Sequence, residues 1–154
     1  MIPRRIPWRR NELADPDRRY VLFAGTFVLD RWRTLPRFMA LSIKGRRAAR
    51  RTPGLVGFAM TAWFPKRSFT AIGAFSDEEA MRRFVASPGH AAAMSGSRAH
   101  LGPGSRFVRW ECYGSELPPR AIDVARRLEA VPGLGELDGP EGEPVAGGGS
   151  HHAA

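Results

Sequence analysis

The stretch LVGFAMTAWF, Leu55 to Phe64, sets the tightest limit on what this chain can fold into. Its length and its aromatic and β-branched content mark it as a strand. One parity carries Leu55, Gly57, Ala59, Thr61 and Trp63, and the other carries Val56, Phe58, Met60, Ala62 and Phe64. A strand sends alternate side chains to opposite faces of its sheet, so neither face is polar here. Both faces of the sheet must therefore be covered, because a large exposed apolar face is an interface or an aggregation hazard. The run YVLFAGTFVL, Tyr20 to Leu29, has the same character.

Two further apolar runs complete a set of strands. SFTAIGAF, Ser68 to Phe75, follows Leu55–Phe64 after only Pro65, Lys66 and Arg67, which is hairpin spacing, and SRFVRWECYG covers Ser105 to Gly114. Between the first two strands lies a helix with Thr34 as N-cap and Pro36 in its first turn. Leu35, Phe38, Met39 and Ser42 share one face of that helix, and Thr52-Pro53-Gly54 ends it. Ser76 with Glu79 three residues on reads as a capping box, opening a second helix whose stripe is Ala80, Met81, Phe84 and Val85. An amphipathic helix runs from about Arg120 to Ala130. The order β-α-β-β-α-β is the ferredoxin-like α+β fold with an antiparallel sheet, here with an extra C-terminal helix. Residues 1–19 form a basic, extended N-terminal arm, 20–131 the domain, and 132–154 a Gly/Pro/acidic tail expected to be disordered. Two copies packed sheet against sheet would bury the doubly apolar strands, so a homodimer is expected.

Composition narrows the function. The 154 residues suit one domain. No apolar run approaches the ~20 residues of a membrane span. The amino terminus, MIPRRIPWRRNELADPDRRY, lacks a signal-like apolar stretch, and the single cysteine, Cys112, cannot close an intramolecular disulfide; a cytoplasmic location is expected. The net charge of +9 invites a nucleic-acid reading. Against it, all but Lys44 and Lys66 of the basic residues are arginines spread along the chain, and SFTAIGAF lacks the Lys/Arg-Gly start of RNA-recognition domains. Nucleic acid is not an expected partner. The one dense block, Arg46, Arg47, Arg50 and Arg51, ends a helix, where cations complement the dipole; an anionic ligand is the other reading of that block.

The second helix interrupts itself. After Phe75 come Ser76-Asp77-Glu78-Glu79-Ala80, then Phe84, then Ser87-Pro88-Gly89-His90. This pattern resembles the antibiotic-biosynthesis-monooxygenase-like members of the dimeric α+β barrel superfamily, over roughly Tyr20 to Tyr113. RRTPGL, Arg50 to Leu55, is also similar to spheroidene monooxygenases, carotenoid oxygenases of that superfamily. The resemblance implies a monooxygenase-like oxidoreductase, a homodimer, and a pocket between sheet and helices for a hydrophobic aromatic or isoprenoid molecule. It implies either no cofactor or heme. Met94 stands about where heme-degrading relatives carry an axial histidine, which argues against heme degradation of that type and leaves His90 or His100 as heme ligands. A non-catalytic small-molecule or heme-binding barrel is the alternative.

The residues themselves give the break a purpose. Ser87 as a cap and Pro88 in the first turn place His90 near a helix N-terminus, and His90, Met94, Ser97 and Arg98 then share one face. An imidazole there is biased toward its neutral form, suited to accept a proton from a phenolic or enolic substrate. His90 is the candidate catalytic residue. Trp63, Phe75, Phe84, Met94, Arg98 and Trp110 are the candidate substrate-binding residues, and no metal site is expected. The plain alternative is that His90 is a hydrogen-bonded packing residue and that both tryptophans are core or interface.

Overall fold

The computed structural model describes residues 2–134. Its strands are β1 (Arg4–Arg10), β2 (Arg19–Val28), β3 (Leu55–Trp63), β4 (Ser68–Phe75) and β5 (Arg106–Tyr113). Its helices are α1 (Leu35–Arg51), α2 (Glu78–Ala86), α3 (Pro88–Arg98) and α4 (Ala121–Glu129). The strands form one antiparallel sheet in the order β1-β3-β4-β2-β5. Without β1 this is the ferredoxin-like order, with the hairpin β3–β4 set beside β2. The register is continuous from Val21↔Phe75 to Val28↔Ser68, which sets β2 and β4 side by side in the interior of the sheet.

The amino-terminal arm is extended, but it lies in the sheet rather than over it. β1 pairs antiparallel with β3, and its register shifts between Ile6 and Arg9, across Pro7 and Trp8. Proline has no N–H for a ladder, so it is confined to edges and bulges, and β1 supplies both. Two local expectations also change. Thr34 ends a short 3₁₀ turn, and its hydroxyl donates back to the Arg31 carbonyl (2.6 Å) instead of capping α1. Asp77, not Ser76, caps α2, its Oδ1 accepting from the Ala80 N–H at 2.7 Å. The Ser76 N–H donates to the Gly54 carbonyl (2.7 Å), which holds Ser76 in the turn and leaves Glu79 to pair with Arg83 at 3.3 Å. Gly54 itself has φ +87°, and a Cβ there would lie 2.7 Å from that of Ala80, so only glycine fits.

Each sheet face has its own core. On one, α1 and α2 cover Leu55, Phe58 and Phe75 together with Ala49 and Ala80, and nearer the α1 N-terminus Leu29, Phe38 and Phe69 pack, while α3 lies against α1, with Gly96 on Leu41 and Ala93 facing Gly45. On the other, Tyr20, Leu22, Val56, Ala74 and Cys112 are closed over by Trp8, Ala14, Trp110 and Leu117. Beside them α4 lays Val124 and Leu128 on Ala24, against Ile72, Val108 and Trp110. Of the acidic tail, residues 132–134 are described, Leu134 donating its N–H to the Ser105 carbonyl (3.0 Å), and 135–154 lie outside the described residues.

Candidate functional site

The break between α2 and α3 is made by Ser87, which sits extended (φ −62°, ψ 142°) with Pro88 as the first residue of α3. Its hydroxyl donates to the Phe84 carbonyl (2.6 Å), so it closes α2, while its carbonyl accepts the first α3 bond from Ala91 at 2.9 Å. His90 therefore falls in the first turn of α3. Its ring lies 4.4 Å from that of Phe84, and its Nδ1 is 3.2 Å from the Val85 carbonyl. A carbonyl only accepts, so the bond requires the proton on Nδ1 and leaves the Nε2 lone pair free. Burial lowers the imidazole pKa below its ordinary value, and the Val85 bond offsets part of that shift. The result is a neutral histidine with one open basic nitrogen.

From His90 the aromatic rings continue onto the sheet. Phe84 lies 5.5 Å from Phe75, and Phe23 packs on the same cluster. Phe23 stacks on Phe107 at 6.2 Å, and Phe107 meets Phe27 edge-on at 5.3 Å. Gly25 makes room for Phe107, whose ring would stand 2.8 Å from a Cβ at that position. Phe23, Phe27, Phe84 and Phe107 are each only half-buried, so this helix-side stripe is apolar yet partly open. Arg109 and Glu78 form an ion pair where β5 meets α2, and Arg82 lies 3.9 Å from the same carboxylate.

The expected site residues are partly gathered. His90, Phe84 and Phe75 form one contact chain, and Met94 lies half-buried one turn along α3. Arg98, at the end of α3, is exposed. Trp110 is on the opposite sheet face beneath α4, with the Arg127 guanidinium 4.9 Å from its ring. Trp63 ends β3, is 39% exposed, and carries the Lys66 ammonium 4.3 Å from its ring. His90 and His100 mark opposite ends of α3, more than about 12 Å apart along its axis, and do not share a ligand site. The Cys112 thiol is buried and pushed up to about 11, chiefly by burial, which keeps it protonated. Among the described residues no three of His, Cys, Asp and Glu converge as a metal ion requires. Phe23, Phe27 and Phe107 were the members that sequence reading overlooked. The signal for two of them was the β2 parity Val21, Phe23, Gly25, Phe27, which alternates large rings around a glycine.

No protein-family model and no curated protein matches the chain. Solved structures do. SnoaB, a cofactor-independent oxygenase from Streptomyces nogalater, is 20% identical, with a TM-score of 0.50 over 66% of this chain and 98% of its own. A candidate monooxygenase from Lactobacillus acidophilus is 12% identical at a TM-score of 0.52 over 67% of this chain, which spans half the length of that protein. A dimeric ferredoxin-like protein of unknown function from Thermobifida fusca is 15% identical at a TM-score of 0.50, over 62% of this chain and 92% of its own. The fold is thus the ferredoxin-like α+β fold, with β1 and α4 added to it. Among the described residues no helix is long and apolar enough to cross a membrane.

Proposed function

We propose that the chain is a monooxygenase-like protein that takes a hydrophobic, phenolic or enolisable molecule of aromatic or isoprenoid type onto the helix-side stripe. The observation that carries this reading is the neutral His90, its Nε2 free, set at the end of a run of half-buried phenylalanine rings. In this reading Phe23, Phe84 and Met94 hold the apolar body of the substrate, Phe75 being buried beneath Phe84 in the core, and Nε2 accepts its acidic proton. The resulting anion supplies the electrons that reduce dioxygen, so the protein contributes a base, desolvation and positioning. The likeness in fold to a cofactor-independent oxygenase is consistent with that division of labour.

His90→Ala is expected to lower oxygen uptake on a phenolic or enolisable aromatic substrate by about 10²- to 10⁴-fold. The fold stays intact, because a half-buried ring contributes less packing than a core one. A folded His90→Ala protein with undiminished turnover would sink this assignment. The active species in this proposal is a homodimer, as the T. fusca neighbour is described. Light scattering at micromolar concentration is expected to give twice 17.0 kDa, whereas a clean monomer removes the dimer from the proposal.

A further inference from the structure

Arg19, Arg31, Arg82, Arg83, Arg109 and Arg120 lie within ion-pair distance of carboxylates. At one corner of the molecule four arginines without such a partner come together. Arg9 and Arg10 at the end of β1, and Arg50 and Arg51 at the end of α1, have no carboxylate partner among the described residues, and all four are exposed. They border an open hollow of about 400 Å³ lined by Arg10, Asn11, Glu12, Arg50, Arg51 and Thr52, with Arg9 and Trp8 on its flank.

Neither group at the α1 end is needed to finish the helix. Thr52 already serves the last turn, its hydroxyl donating to the Ala48 carbonyl (2.9 Å) and its N–H to that of Ala49 (3.1 Å). The one acid in the hollow is also engaged: Glu12 Oε1 accepts the Gly54 N–H at 3.1 Å. The walls are fixed from both sides, since Asn11 and Glu12 donate their N–H groups to the Val56 carbonyl at 2.8 and 3.2 Å. Arg10, Arg50 and Arg51 against Glu12 leave the lining with a formal charge of +2. A phosphate monoester carries about −1.5 to −2 and offers the oxygen geometry that guanidinium forks bind in pairs.

We propose that this hollow, between the end of β1 and the C-terminal end of α1, is a binding site for the dianionic phosphate group of a small phosphate ester. Arg50 and Arg51 grip it from the helix and Arg10 from the edge strand, on a different part of the molecule from the His90 stripe. The site depends on the amino-terminal arm being a strand of the sheet, because only that pairing brings Arg10 to the end of α1.

Calorimetric titration of the full chain with inorganic phosphate and with pyrophosphate tests it. Saturable binding with one site per chain at or below about 1 mM is expected. Arg50→Gln with Arg51→Gln should weaken it by about tenfold or more, given the strength of paired guanidinium–phosphate bonds. Arg46→Gln with Arg47→Gln removes the same charge from the same helix without touching the hollow, and should leave the affinity within about twofold. Equal losses in the two double variants mean that net charge alone is being read, and overturn the site. So does a lack of saturation by about 10 mM. Tighter, steeply salt-dependent binding of duplex DNA, lost equally in both double variants, also overturns it and assigns the arginines to nucleic acid.

Discussion

The two faces of the sheet are closed in different ways. On the helix-covered face the innermost side chains are buried, with Phe75 at 2% exposure and Leu55 at 1%, but the rings around them stay half-open. On the other face Leu22, Ala24 and Ala74 are fully buried, although no helix of the β-α-β-β-α-β unit lies there. That face is sealed by pieces outside the unit: Trp8 from the arm, Leu117 from the turn after β5, and α4. The apolar parity of β3 therefore finds part of its cover within its own chain. What this leaves less covered is a strip around Ala59, Thr61, Thr70 and Thr26, half-buried and joined by a hydroxyl contact of 3.0 Å between the last two. The half-open face is where a ligand gains most from burying apolar surface, and it is the face that carries His90.

The sharpest way to break this contrast is to cut one core residue on each face. Phe75→Ala is expected to cost about 3–5 kcal/mol of stability, since its ring sits among Leu55, Phe58 and Ala80 with no room to collapse. Leu128→Ala on α4 should cost about 2–3 kcal/mol, near the low end for such truncations, because α4 rests on the sheet alone and its surroundings can relax. Urea midpoints of the two variants measure both. A negligible effect at Leu128 means that α4 does not close the second face and that the seal has been misassigned.

A smaller effect separates the two candidate caps of α2. Asp77→Ala should cost about 1 kcal/mol and Ser76→Ala only a few tenths, because the Asp77 side chain holds the Ala80 N–H. The reverse order in thermal melts would restore Ser76 as the cap.

The smallest expected effect is a pH dependence from His90. Burial lowers its pKa in the folded protein below the ordinary value of 6.5. Above that value both folded and unfolded forms hold a neutral ring, and the group contributes no slope. As pH falls below 6.5 the unfolded chain takes up the proton first, so stability declines until the folded ring titrates as well. Comparison of the protein with His90→Gln across this range isolates the contribution. A variant that follows the same pH curve would show that the ring is as well solvated folded as unfolded, and would remove the neutral base from the helix side.

Several of these features were open to reading from residues alone. The strands follow from apolar runs bounded by Pro and Gly, the β3–β4 hairpin from its three-residue gap, and the restart of the helix at Pro88 from Ser87-Pro88-Gly89. The choice of Asp77 over Ser76 was not legible, since it depends on the bond from Ser76 to Gly54, residues 22 positions apart. Nor was β1: a segment rich in proline and arginine has weak strand propensity, and it is a strand because β3 offers an unpaired edge. The candidate site divides the same way. Phe84 and His90 are six residues apart across one break, and their rings lie 4.4 Å apart. Trp63 and Trp110 share strand character with Phe75, but one ends at the sheet margin and the other faces α4. The sequence by itself determined the elements from β2 onward, their order and the doubly apolar sheet, because periodicity, proline and glycine act within a few residues of chain. Only the tertiary structure decided which segment covers which face, which aromatic rings meet His90, and which arginines border one hollow, because those depend on surfaces left open after distant strands have paired.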